Sequence, residues 1–229
     1  MDRPTPGRFP SLGSGVHVLF STRDDGDFHI EQPRDVLDAT RRAFVDLPWS
    51  QPDEVHGIVI GVVERPGHLD GAVADALVTD CADSVVGIWV GDCAPVALVS
   101  AGGRIAGVHA GWRGIEAGVL AAAVSAVRRD ADEPVEAVLG PCIHACCYEF
   151  GHDDLARMVA RFGRRVVGTT VSGAPALDVP AAVAAALAEV GVEVVDQGGC
   201  TSCHAERWFS HRARAERGRQ VMAVWRSAA

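Results

Sequence analysis

Two short stretches carry most of the chemistry in this chain. Cys93 lies in Gly91-Asp92-Cys93-Ala94-Pro95-Val96, and His109 in Val108-His109-Ala110-Gly111-Trp112-Arg113-Gly114. Each follows an apolar run, residues 85–90 for Cys93 and 104–108 for His109, so both read as reactive groups just past the ends of strands. A soft thiolate and an imidazole presented by a rigid sheet suit either a metal site or a Cys/His nucleophile pair. Packing alone would account for a lone cysteine. Asp92 ahead of the thiol and a Gly-Trp-Arg-Gly turn after the histidine favour a site.

His56, in Glu54-Val55-His56-Gly57, is a third group at a strand edge. His56, Cys93 and His109 make a His₂Cys set with room for a further ligand, a donor set that serves catalytic zinc and also copper. The spacings, 93 − 56 = 37 and 109 − 93 = 16, do not choose between them. Arg23, after Ser21-Thr22, and Arg113 are guanidinium groups able to hold phosphate or carboxylate by paired hydrogen bonds, or simply surface ion pairs.

Two further clusters are less readily read. Gly140-Pro141-Cys142-Ile143-His144-Ala145-Cys146-Cys147-Tyr148-Glu149 is a turn dense in reactive side chains, including the only tyrosine, Tyr148, a candidate ligand contact. Adjacent Cys146 and Cys147 are not expected to share one tetrahedral ion, and a packed loop with buried thiols competes with any functional reading. Cys200-Thr201-Ser202-Cys203-His204 matches half a zinc site, a redox pair or a haem-attachment pattern. No second cysteine pair is obvious, haem attachment would need export, and thiols packed at a helix start are the leading expectation. Arg207, Arg212, Arg214, Arg217 and Arg219 form a basic run, read as a solvated helix face or, more sharply, an anion-binding edge.

The elements that must position these groups follow from periodicity and turn residues. Strands are expected over residues 16–22, 58–64, 76–79, 85–90, 96–100, 104–108, 135–139, 192–196 and 221–225. Helices are expected over 33–47, 114–129, 153–162, 180–190 and 205–214, with Asp178 and Pro180 opening one of them. Ala101-Gly102-Gly103 fits a tight hairpin turn. Clustered strands between helices indicate a mixed-sheet α/β or α+β domain, without revealing the sheet order. Residues 1–12 read as a flexible lead-in and 13–229 as one domain, which 229 residues at 48% hydrophobic content can support.

The net charge of −9 argues against nucleic acid or an anionic membrane as main partner. There is no lysine, so Schiff-base and P-loop lysine chemistry are excluded. No secretory h-region and no apolar run of about 18 residues occur, so a cytoplasmic protein with reduced thiols is expected.

GDCAPV, HAGWRG, GPCI-x-x-CCYEF and C-T-x-C-x-x-E-R-W-F-S-x-R together resemble the YfiH-like laccase-domain family, from about Val16 to Trp225. Members have been described as polyphenol oxidases, metal-dependent purine nucleoside phosphorylases and peptidoglycan-editing factors. The resemblance implies a layered α/β/β/α sandwich with mixed sheets, similar to toxin cysteine-hydrolase folds. It also implies a zinc or copper site at His56, Cys93 and His109. Arg23 falls on the family's active-site arginine and Asp75 on its Asp-Ala-Leu-Val-Thr segment, which, with Arg113 and Tyr148, makes the expected substrate-binding set. The implied activity is phosphorolysis of adenosine, inosine or methylthioadenosine, with adenosine deamination, by a monomer or homodimer. The alternatives are a cysteine hydrolase with Cys93 as nucleophile and His109 as base, a copper-dependent phenol oxidase, and a zinc-stabilised interaction domain without activity. Nine scattered histidines do not suggest a multicopper cluster. Two departures stand out: Asp53-Glu54 where the family often has Asn-Gln, and His144-Ala145 where it often has Gly-Pro.

Overall fold

The computed structural model describes residues 15–228; the lead-in expected over 1–12 lies outside them. Strands β3 (Ile60–Val63), β4 (Ala76–Thr79), β6 (Ala94–Ser100), β7 (Ile105–Ala110), β8 (Val135–Leu139) and β11 (Val194–Asp196) form a six-stranded mixed sheet in the order β11-β8-β6-β7-β4-β3. Strands β1 (Val16–Phe20), β2 (Trp49–Ser50), β5 (Val85–Val90) and β12 (Gln220–Arg226) form a second sheet in the order β1-β12-β5-β2. A small hairpin pairs β9 (Val167–Thr169) with β10 (Pro175–Leu177).

The period-2 alternation of strands decides the layering. On β6, Val96 and Leu98 face the helix-side core, whereas Ala97 and Val99 face the second sheet. On β12, Met222 and Val224 point between the sheets, whereas Val221 and Ala223 meet Phe28 and Trp49 on the far side. Helices α3 (Val119–Val127), α4 (His152–Phe162) and α5 (Val179–Ala188) cover the six-stranded sheet, and α1 (Arg34–Phe44) lies by the outer face of the other. The result is the expected α/β/β/α sandwich. Fully buried side chains such as Leu98, Ile105 and Leu120 hold it, at about 1.5–3 kcal/mol each.

Several elements differ from the sequence reading. The helix expected over 114–129 is two: α2 (Trp112–Ala117) ends at Gly118, whose φ of 99° lets the chain turn before α3. The helix expected over 205–214 is confined to α6 (His211–Arg214). There, side chains take up the backbone carbonyls: Arg23 donates to Ala205 O and Trp208 O, and Arg214 also donates to Trp208 O. β2 and the β9–β10 hairpin are too short to show periodicity in sequence. The turn at 101–103 forms as expected, with Gly103 N donating to Ser100 O at 2.9 Å. Among the described residues, no helix is long and apolar enough to cross a membrane.

Candidate metal centre

β5 ends at Val90 and β6 begins at Ala94, so Cys93 sits in the tight link between the two sheets. His109 is not beyond its strand, as its spacing had suggested, but inside β7, where it is 3% exposed. His56 lies on the exposed approach to β3 with φ at 60°, a left-handed backbone that non-glycine residues rarely adopt. Cys93 Sγ is 3.7 Å from His56 Nε2, and the three potential ligand atoms lie within 4.8 Å of one another. The two imidazoles meet edge to face at 4.7 Å.

Asp75, at the foot of β4, organises this group. Its Oδ1 accepts from Val55 N at 3.2 Å and His56 N at 2.7 Å, and its Oδ2 from Gly57 N at 2.7 Å. These bonds offset the cost of the left-handed turn at His56, on the order of 1–3 kcal/mol. Oδ1 also lies 3.0 Å from His109 Nδ1, which directs the ring's Nε2 towards the other two ligands. Gly111 is a fitted gap: a Cβ there would stand 2.7 Å from His56 Cδ2 and 3.3 Å from Cys93 Sγ. Three borderline-soft donors, one with its far nitrogen anchored by a carboxylate, fit a zinc or copper ion.

The electrostatics are consistent with a thiolate facing an imidazolium. Burial pushes the Cys93 thiol up, but His109 and His56 outweigh it and bring it down to about 6. Burial disfavours a charged His109, yet Glu54, Cys93 and Asp75 hold it well above the ordinary histidine range. Asp75 is raised by burial but held below its usual value by His109 and the loop N–H groups. Glu54 is raised by burial to about 8; its Oε1 accepts from Trp89 N at 3.0 Å and its Oε2 lies 3.6 Å from His109 Nδ1.

The group opens into a cavity of about 370 Å³, within the range of small-molecule sites. Its walls include Glu54, Trp89, Tyr148, His211, Arg212 and Arg219 beside the triad. Tyr148, a candidate ligand contact, is at the wall, with its hydroxyl pushed by burial up to about 12. Arg23, Arg113 and Asp75, expected at the substrate, are not part of that wall. Arg23 pairs with Glu216 at 2.7 Å and stacks over Phe209 at 4.3 Å. Arg113 lies over Trp112 at 4.4 Å. Asp75 is fully buried behind the ligands, where it acts by positioning them.

The basic run supplies the cavity's cations instead. It is not one helix face: Arg212 and Arg219 reach the wall, Arg214 pairs with Glu216, and Arg217 with Glu31. Arg212 stacks on Tyr148 at 4.5 Å and donates to Glu149 O at 2.8 Å. Asp92 pins this segment: its carboxylate accepts from Thr201 Oγ1 at 2.7 Å, Ser210 Oγ at 2.8 Å and Arg212 N at 2.7 Å. Trp89 and His211 were not singled out from sequence, whereas Glu54 was noted as a departure from the family pattern and Arg219 as part of the basic run.

The sandwich is shared with known proteins. Residues 7–227 match the family described as multi-copper polyphenol oxidoreductase laccase, and the chain belongs to this YfiH-like, laccase-domain family. A Xylella fastidiosa protein named purine nucleoside phosphorylase is 36% identical over 182 residues, 75% of this chain and 70% of its own. A Shigella flexneri protein, purine nucleoside phosphorylase YfiH, is 31% identical over 221 residues, 95% and 87% of the two chains. Among solved structures, a Neisseria meningitidis protein superposes with a TM-score of 0.83 at 26% identity, covering 98% of this chain and 99% of that one. YlmD from Geobacillus stearothermophilus shares the fold with a TM-score of 0.84 at 22% identity, over 100% and 98%.

Proposed function

We propose that this chain is a metal-dependent purine nucleoside phosphorylase acting on adenosine and inosine, with methylthioadenosine as a further substrate and adenosine deamination as a secondary activity. The observation that carries the reading is the His56–Cys93–His109 group at the floor of a cavity whose wall combines aromatic rings with cations. The names borne by the Xylella and Shigella relatives support it. Zinc is the proposed ion, with copper the alternative, and when bound it supplies Lewis-acid charge beside the reacting atoms.

The chain's own residues do the rest. Trp89 and Tyr148 offer apolar faces for a purine, and Arg212 and Arg219 offer positive charge for phosphate. Holding phosphate against the anomeric carbon converts a two-body encounter into an oriented one. In phosphorolysis the bond between that carbon and the purine nitrogen breaks, a bond to a phosphate oxygen forms, and the purine leaves with a proton. In deamination, water replaces the exocyclic amine, which leaves as ammonia. The phosphate role expected of Arg23 passes in this reading to Arg212 and Arg219, because Arg23 is committed to Glu216.

A cysteine-hydrolase reading is favoured by one observation, the low thiol pKa of Cys93 beside a charged His109. The same thiolate is what a metal requires. One experiment addresses both. Metal content is measured on untagged protein, and release of free base from adenosine and inosine is followed with and without phosphate. Stoichiometric metal that shields Cys93 from iodoacetamide, with phosphate-dependent turnover, supports the phosphorylase. No base release from metal-loaded protein overturns it.

A further inference from the structure

The four cysteines outside the triad converge. Cys146 and Cys147 sit on a short 3₁₀ turn, Ala145–Cys147, beyond β8; Cys200 and Cys203 sit on the turns beyond β11. The two turns are fastened by backbone bonds, Cys142 N to Gly199 O at 3.3 Å and Thr201 N to Cys142 O at 3.0 Å. Sulfur separations are 3.7 Å for Cys146–Cys147, 3.5 Å for Cys146–Cys203 and 3.4 Å for Cys147–Cys203, and all four sulfurs lie within 4.8 Å of one another. The second cysteine pair that was not obvious in sequence is thus supplied by Cys146 and Cys147, whose sulfurs, although adjacent along the chain, lie in the same group as those of Cys200 and Cys203.

We infer that Cys146, Cys147, Cys200 and Cys203 form a second, structural zinc site, separate from the triad. A zinc ion with bonds of about 2.3 Å to four thiolates in a tetrahedron sets its sulfurs roughly 3.8 Å apart, close to the spacings seen here. A disulfide would need a sulfur separation of about 2.05 Å, far shorter than any of these. Cys200 also accepts a backbone bond from His144 N at 3.5 Å, a contact that spreads a ligand thiolate's charge. Arg214 donates to Thr201 O and Ser202 O, which braces the turn that carries Cys200 and Cys203. Cys203 is exposed, so the ion has a way in. Binding replaces four thiol protons, released to solvent, with four sulfur–zinc bonds, and no electron is transferred.

The site has a purpose in the fold. One turn leads into Tyr148 and the other into the segment bearing His211 and Arg212, all three at the cavity wall. A four-thiolate clamp fixes those two walls to each other, where otherwise the Arg212 contacts and the Asp92 bonds would hold them.

The test separates this site from the triad. His56→Ala/Cys93→Ser protein, loaded with zinc and freed of excess, is expected to keep one zinc per chain. Cobalt substitution in that variant is expected to give a thiolate charge-transfer band of four-sulfur intensity. Chelation is expected to lower its midpoint of thermal unfolding. Adding Cys146→Ser and Cys203→Ser, neither fully buried, should remove the metal and the chelator response while the fold, checked by circular dichroism, persists. The inference is overturned if the triad variant binds no zinc, or if mass and thiol counting reveal a disulfide. Failure of nucleoside turnover in the wild type leaves these outcomes untouched.

Discussion

Replacing Asp75 with asparagine removes a single charge and should loosen the whole triad. The carboxylate accepts three backbone N–H groups at 2.7–3.2 Å and faces His109 Nδ1 at 3.0 Å. An asparagine oxygen can occupy the Oδ1 position and keep the Val55, His56 and His109 bonds in weaker, uncharged form. Its amide nitrogen then meets Gly57 N, donor against donor, at a position where the native distance is 2.7 Å. One lost charge-assisted bond is worth about 1.5–3 kcal/mol, and three weakened ones add to it. The lower desolvation cost of a neutral amide offsets part, leaving a net loss of about 3 kcal/mol. Metal affinity should fall about 10–100-fold, as for other partners that orient a ligating histidine. Urea unfolding of metal-free protein and zinc titration against a chromophoric chelator measure the two effects. Asp75 also gives a pH signature. Its folded pKa is depressed, so its stabilisation is present above the unfolded value of about 3.9 and lost as pH falls through the folded one. The wild type should lose this increment in acid and Asp75→Asn should not. Unchanged unfolding free energy together with unchanged zinc affinity would refute the positioning role.

Other substitutions probe neighbouring parts of the site. Gly111→Ala places a methyl 2.7 Å from His56 Cδ2, so it should cost at least tenfold in zinc affinity with little loss of fold, read by the same titration. Glu54 has a folded pKa raised to about 8, so its stabilisation is greatest below the unfolded value and declines as pH rises through 8. Glu54→Gln should therefore leave metal-free stability similar in acid and raise it progressively up to about pH 8, with a ceiling on the order of 5 kcal/mol; equal unfolding curves at pH 5 and 9 would contradict this. Arg212→Met should raise the KM for phosphate by about tenfold or more through loss of a charge-assisted contact, while Arg23→Met should lower stability and leave that KM alone. The reverse pattern would return the phosphate role to Arg23.

Much of the fold was legible because its signals are local. The apolar runs of β6 and β12, Asp178 before Pro180, and the glycine turn at 103 depend on near neighbours and read directly. The residue types at 56, 93 and 109 already named a His₂Cys donor set, and the shared motifs pointed to the family. The segment 205–214 was misread as one helix, because its backbone bonds to Asp92 and Arg23 from across the molecule.

What the sequence determined by itself, then, was the inventory of ligands, the strands that flank them and the mixed-sheet α/β or α+β class of the domain. Tertiary structure decided which groups meet. The left-handed turn at His56 is held by a carboxylate 19 residues away, and Cys146 joins Cys203 across 57 residues. The cavity's arginines come from the C-terminal basic run, whereas Arg23 is drawn into an ion pair with Glu216. Periodicity and capping are short-range consequences of backbone geometry, whereas these contacts depend on how two sheets pack and where their loops are brought together.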